Sequence, residues 1–390
     1  MALGESLFWQ DEPCAFPRLL SCGLYLKGRR LVRFDQCLNF FFEEQKESLM
    51  SKHKQKIAII GNGSWGTTLA VLLSCKGQDV WLWARHGAEA KQLNARRENA
   101  RFLPGVPFPD GLRVSVDAAE VLHQATLVLL VVPAQKMRTN VRRLRSAFPS
   151  EAILLSCAKG VELSTLKRMS EVIREEVPER KHNDVGVLSG PNLAREIAAG
   201  LPASTVIAME DQHKAEQAQQ LINRRKFRVY RHDDVIGVEL AGALKNIMAI
   251  GAGIVDHFAL GDNAKSSYLT RGLAEITRLG TAAKANPLTF AGLAGLGDLL
   301  CTCASSHSRN HYVGVELAKG RTLQDIRASM TQIAEGIFTI RAARQLAQQY
   351  GVELPITEQL YQILYEGKSA HSALHGLMNR DIKHELQGLM

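Results

Sequence analysis

A chain of 390 residues, 46% hydrophobic and 22% charged, is long enough for two ordinary domains with separate cores. Its formal net charge of +9 favours anionic partners, but the basic residues are spread out, with short clusters at Arg142–Arg145 and Arg224–Arg231. Lacking a long basic arm or an aromatic-interleaved basic stripe, the sequence argues against nucleic acid and leaves a small phosphorylated molecule or an acidic membrane surface as partner.

The seven cysteines, at 14, 22, 37, 75, 157, 301 and 303, are odd in number and argue against a secreted disulfide framework. Cys301-Thr302-Cys303 has no second pair or flanking histidine at finger-like spacing, so free thiols and no metal are expected. No unbroken apolar run approaches the roughly 18 residues of a membrane span. The longest strongly apolar run, Leu127 to Val132, stops at Pro133 and has the length of a buried strand. A cytoplasmic location is the matching expectation.

Leu19-Leu20-Ser21-Cys22 has the form of a lipoprotein cleavage box, yet Asp11, Glu12 and Pro13 occupy the place of its apolar core. Seven acidic residues between Glu5 and Glu47 also argue against a mitochondrial presequence. Residues 1–50 therefore read as a poorly ordered extension, or as sequence upstream of a start at Met50.

From Lys56 the pattern alternates. Strands are expected at Ile57–Ile60, Asp79–Trp83, Leu112–Val116, Leu127–Val132, Ala152–Ser156, Val185–Ser189, Ser204–Ala208 and Phe227–Tyr230. A helix over Trp65 to Lys76 puts Leu69, Leu72 and Leu73 on one face, and helical stretches separate most later strands. Such alternation implies a largely parallel, doubly wound Rossmann-type α/β sheet over 51–236. Beyond about residue 235 the strand pattern ends. Val238–Val255, Ser266–Ala285, Thr322–Met330, Ile337–Tyr350 and Ile356–Tyr365 are helical in period, giving an all-α substrate domain over 237–390.

Gly61-Asn62-Gly63-Ser64-Trp65-Gly66 fits G-x-G-x-x-G between a strand and a helix, the context that marks a dinucleotide site. Gly61 permits the tight turn, Gly63 lets a pyrophosphate approach, and Gly66 allows close helix–strand packing. At the end of the second strand stand Arg85 and His86, where an NAD-specific site usually carries an acid. A cation there suits a 2′-phosphate, so the cofactor is NAD or NADP, with NADPH permitted.

Three further segments carry chemistry. Lys159-Gly160 closes one strand, Ser189-Gly190-Pro191-Asn192 follows another, and Lys245 lies among Leu244, Ile247 and Met248 in an apolar helix. Such a lysine either snorkels outward or faces a polar pocket. Ala294-Gly295-Leu296-Gly297-Asp298 and Ser308-Arg309-Asn310 complete the set. Asp298 can pair with a buried ammonium, and Arg309 can grip a phosphate with its two-pronged guanidinium.

Together these motifs resemble the bacterial type of NAD(P)-dependent glycerol-3-phosphate dehydrogenase. Phe102-Leu103-Pro104, Lys245-Asn246, Glu335-Gly336 and Pro355-Ile356-Thr357 match as well, in order across roughly residues 55–380. The resemblance implies reduction of dihydroxyacetone phosphate by hydride transfer, feeding glycerophospholipid synthesis, by a homodimer. It implies Lys245 as the acid/base, with Asp298 beside it. Substrate would meet Lys159, Gly190, Asn192, Lys245, Asp298, Ser308, Arg309 and Asn310. The cofactor would meet Ser64, Trp65, Arg85, His86, Lys159, Ala194, Arg309, Ile333 and Glu335, besides the glycine turn. Asn62 and Asn192 stand where relatives usually carry Ala and Ser or Thr. Two alternatives remain at this level: 6-phosphogluconate, hydroxyacyl or ketopantoate reduction on the same architecture, and a catalytically silent dinucleotide sensor. A sensor has no need of Lys245 as a proton donor.

Overall fold

The computed structural model describes residues 54–385 except Lys76, Arg180, Lys181, 331–333 and Lys383, together with two short strands near the N-terminus. Those strands, Tyr25–Lys27 and Arg30–Val32, pair antiparallel with each other. The rest of the expected extension, and Ile333, lie outside the described residues.

All eight expected strands form. They are β1 (Lys56–Ile60), β2 (Asp79–Trp83), β3 (Leu112–Ser115), β4 (Leu127–Leu130), β5 (Ile153–Ser156), β6 (Val185–Ser189), β7 (Ala203–Ala208) and β8 (Phe227–His232). They make one sheet in the order β8-β7-β6-β5-β4-β1-β2-β3. Pairing is parallel except between β6 and β7. There the chain turns back through Ser189-Gly190, with Leu188 opposite Ile207. The strand order reverses at β1, with β2 on one side and β4 on the other, which opens a crevice at their carboxyl ends.

Within β1 the side chains alternate: Ile57 and Ile59 join the core on one face, Ala58 and Ile60 that on the other. Both faces are covered, so the strands read as continuous apolar runs instead of alternating ones.

Helix α1 (Ser64–Ser74) follows the glycine turn and α2 (Ala194–Ala198) follows β6. From Val235 the chain is helical. The axis of this half is α3 (Val235–His257), packed against α4 (Gly261–Ala282), α5 (Asp298–Ala304), α6 (Arg309–Ala318) and α7 (Glu335–Tyr350). Next comes α8 (Pro355–Tyr365). Immediately before α5, Leu293–Gly297 forms a wide π-type turn.

Helix α3 is the most apolar of the long helices among the described residues. It is long and apolar enough to cross a bilayer by length and composition, with a mean hydropathy of 1.5 over its 18-residue window. Glu239, Lys245 and Asn246 interrupt its apolar pattern, so it contains no unbroken apolar run of that length. That window is 89% buried inside the protein, so this helix is the spine of the second core.

Candidate active site

At the crevice, Gly61 has φ of +115°, and a Cβ there would meet the Val131 carbonyl oxygen at 2.5 Å. A Cβ on Gly66 would lie 1.9 Å from the Gly61 carbonyl oxygen, so the helix can start this close to the strand only with glycine. Gly63 differs: a Cβ there meets nothing within 4 Å, and its emptiness faces open space. The first turn of α1 has no side-chain cap and no acidic residue. The start of the helix and the positive end of its dipole therefore face that space, which suits a pyrophosphate. The buried Asn62 Nδ2 and Trp65 Nε1 also lack partners. A dinucleotide fits this cradle.

The turn is braced by a residue that sequence reading passed over. Asn99, 3% exposed, donates to the Asn62 carbonyl (2.8 Å) and to the Thr67 hydroxyl (2.8 Å). Ser64 donates its hydroxyl to the Phe102 carbonyl (2.7 Å), so the Phe102-Leu103-Pro104 segment docks on the glycine turn. Arg85 and His86 are exposed just past β2, whose Trp83 pairs with Ile60. Ala194 opens α2, and its carbonyl accepts from Thr68 of α1 (3.2 Å).

Asp298 is the hub of the second group. It is 1% exposed, and its two oxygens are divided between two lysines: Oδ2 lies 2.6 Å from Lys159 Nζ and Oδ1 3.1 Å from Lys245 Nζ. Lys159 also donates to the Gly190 carbonyl (2.7 Å). Lys245 donates to Thr302 Oγ1 (2.5 Å), and the Thr302 hydroxyl donates to Asp298 Oδ1 (3.2 Å). Thr302 follows Asp298 by one helical turn of α5, a spacing that brings both to one face. Burial lowers the pKa of Lys245 to about 8, against the pull of Asp298 upward, and Lys159 adds to the lowering. The neighbouring thiols are not nucleophiles: burial pushes Cys157 and Cys303 up to about 12.

Gly190, with φ of +144°, lets the chain turn tightly over Thr205, whose Cα would sit 3.0 Å from an added Cβ. Thr205 donates to the Ser189 carbonyl (2.8 Å) and accepts from Asn192 Nδ2 (3.0 Å). Asn192 Oδ1 is buried and unpartnered. Thr205, on the antiparallel strand β7, was not identified as a site residue. Its proximity depends on strand pairing, which no local pattern announces.

Ser308 caps α6, accepting from the His311 N–H (3.2 Å). Arg309 is open to solvent and makes no ion pair within 4 Å among the described residues. The surrounding protein lowers its pKa, and Glu335 opposes that. Asn310 turns inward, its amide engaged at both ends by Asn246 (2.9 Å) and the Gly336 N–H (3.0 Å). Glu335 Oε1 accepts from the Ala134 N–H (3.1 Å), while Oε2 is buried without a partner. Burial raises its pKa, opposed by that N–H and by Arg309.

Residues 56–215 match the family described as NAD-dependent glycerol-3-phosphate dehydrogenase N-terminus, and residues 234–375 match its C-terminus. A glycerol-3-phosphate dehydrogenase [NAD(P)+] of Dehalococcoides mccartyi is 48% identical over 334 residues, 85% of this chain and 93% of the relative. One from Chlorobium limicola is 46% identical over 330 residues, 85% of this chain and 99% of the relative. The crystal structure of glycerol-3-phosphate dehydrogenase from Coxiella burnetii superposes with a TM-score of 0.80 at 36% identity, covering 84% of this chain and 99% of that one. A PanE/ApbA-family ketopantoate reductase from Ralstonia eutropha shares the fold at 17% identity and a TM-score of 0.53. Sequence and fold agree on one assignment: the chain belongs to the NAD-dependent glycerol-3-phosphate dehydrogenase family.

Proposed function

We propose that this protein reduces dihydroxyacetone phosphate to sn-glycerol 3-phosphate, with Lys245 as the proton donor. The observation that carries the reading is the pair of lysines sharing one buried carboxylate. A reduced dinucleotide whose pyrophosphate sat on the glycine turn would supply the hydride for the carbonyl carbon. Lys245 hydrogen-bonds the carbonyl oxygen, polarises it, and delivers a proton from Nζ as negative charge develops. Positioned acid help of this kind contributes roughly 10²–10⁴-fold.

Asp298 has a positioning role in this reading. One oxygen orients Lys245 and the other orients Lys159, so both ammonium groups address the same oxygen or its neighbour. Thr302 fixes the remaining direction of Lys245. Arg309 and Ser308 take the substrate phosphate, converting remote binding energy into orientation of the ketone. The unpaired Asn192 Oδ1 can accept a substrate hydroxyl. Arg85 and His86 suit the 2′-phosphate of NADPH, and Ser64, Trp65, Ala194 and Glu335 complete the cofactor's surroundings.

The same reading carries a cytoplasmic homodimer that feeds glycerophospholipid synthesis. It is supported by the family resemblance.

The test is a steady-state assay of dihydroxyacetone phosphate with NADH and NADPH in turn, on wild type and Lys245→Ala. Turnover by wild type and none by the variant, with cofactor fluorescence still reporting binding, is the expected result. A near-normal rate for the variant overturns the proton-donor assignment.

A further inference from the structure

The reversed strand β7 places one buried polar side chain against the turn that follows β6. Thr205 is 0% exposed, and its Oγ1 holds that turn on both sides of Gly190. It donates to the Ser189 carbonyl (2.8 Å), before the glycine, and accepts from Asn192 Nδ2 (3.0 Å), after it. The backbones are equally close: a Cβ on Gly190 would lie 3.0 Å from Thr205 Cα and 3.3 Å from its Oγ1. Between the two anchored residues, the Gly190 carbonyl accepts from Lys159 Nζ (2.7 Å), one of the two lysines on Asp298. Asn192 Oδ1 is left buried and without a partner.

We propose that Thr205 is a positioning residue that determines specificity: it anchors the Asn192 amide so that Oδ1 is presented to the free hydroxyl of the substrate. This rests on the proposed reduction of dihydroxyacetone phosphate and deepens it.

The direction of the amide follows from a count of protons. A hydroxyl has one proton to donate and two lone pairs. Thr205 gives its proton to Ser189, so it meets residue 192 with a lone pair, and the amide turns Nδ2 toward it. Turning the amide over would set Oδ1 against that lone pair, or would draw the proton away from the Ser189 carbonyl. Either change costs a buried hydrogen bond. With Nδ2 held, Oδ1 is the one side-chain acceptor that still needs a donor. Dihydroxyacetone phosphate carries a single hydroxyl, on the far side of its carbonyl from the phosphate, and that hydroxyl is such a donor. A methyl in its place leaves Oδ1 unpaired, and a carboxylate sets acceptor against acceptor.

Hydroxyacetone phosphate differs from dihydroxyacetone phosphate only in lacking that hydroxyl, which makes it the probe. Wild type, Thr205→Val and Thr205→Ser are assayed on both ketones for kcat and KM, with fluorescence reporting affinity for reduced cofactor. Valine keeps the branched shape and removes Oγ1, whereas serine keeps Oγ1. Wild type prefers the hydroxylated ketone by roughly 10- to 100-fold in kcat/KM, the usual effect of leaving a buried acceptor unpaired. Thr205→Val loses most of that preference, because an unanchored amide no longer holds Oδ1 at the hydroxyl. Its kcat/KM falls on dihydroxyacetone phosphate, changes little on hydroxyacetone phosphate, and its cofactor affinity stays that of wild type. Thr205→Ser keeps the wild-type preference. A wild type indifferent to the hydroxyl overturns the proposal and leaves the dehydrogenase reading standing. So does a Thr205→Val variant that loses equally on both ketones, the mark of a turn that has merely lost support, or one that retains the full preference. Should the valine variant not fold, Thr205→Ala removes the same two hydrogen bonds and is judged by the same outcomes. A wild-type protein inactive on dihydroxyacetone phosphate would remove the functional reading itself, a result separable from either.

Discussion

Lys245 sits between opposed influences. Burial and Lys159 favour its neutral form, and Asp298 favours the charged one, leaving a pKa of about 8. Reduction of a ketone needs the ammonium, and oxidation of the alcohol needs the amine. The reductive kcat/KM should therefore fall as pH rises through about 8, while the oxidative kcat/KM should rise through the same value. Parallel profiles in the two directions would separate Lys245 from the proton transfer. The lysine was visible in the sequence as a charge inside an apolar helix. Its sharing of Asp298 with Lys159 was not, because Lys159 and Asp298 are 139 residues apart. Ser308 was legible as a polar residue beside Arg309, but its place at a helix start makes it a cap as well.

Helices α3 and α6 cross on glycine. A Cβ on Gly253 would lie 2.1 Å from the His311 carbonyl oxygen, and one on Gly314 would lie 1.8 Å from that of Ile250. These are rigid backbone atoms, so an added methyl must push the helices apart. Because α6 begins at Arg309 and α3 carries Lys245, separating them disturbs the site as well as the core. Gly314→Ala should lower unfolding free energy by about 1–3 kcal/mol, the usual range for overpacking, and reduce activity at temperatures where the variant is folded. Denaturant titration and initial rates check this, and an unchanged midpoint would mean the crossing yields. Helical period marked α3 in the sequence, whereas α6 falls between the expected helices and appears only in the structure. The two glycines did not read as a contact, since a glycine inside a helix marks close approach without naming the neighbour.

Across the whole molecule, the sheet half and the helical half are tied at more than the active site. Glu239 of α3 accepts from the Ser170 N–H (2.8 Å), the Ser170 hydroxyl (2.5 Å) and the Arg168 guanidinium (2.7 Å). The ion pair is largely buried, with side-chain exposures of 15% for Arg168 and 6% for Glu239. Glu239→Ala leaves Arg168 with Glu171 alone (3.1 Å) and strips Ser170 of its acceptor, so it should cost about 1–3 kcal/mol. Equilibrium unfolding followed by two probes, tryptophan fluorescence and far-ultraviolet dichroism, should then show the halves separating at different denaturant concentrations. Coincident transitions with a loss below about 1 kcal/mol would show that this tie contributes little.

Local order determined much of this protein. Side-chain period fixed eight strands and the long helices, because each residue's face is set by neighbours within a turn or a pleat. The glycine spacing marked the dinucleotide cradle for the same reason: Gly61 and Gly66 clash within one short segment. Folding in three dimensions decided the rest. The reversed strand β7 brings Thr205 under Gly190, Asn99 reaches back to the glycine turn, and one carboxylate comes to serve two lysines. Charge sharing and amide direction depend on distances between remote segments, and those exist only once both cores have packed.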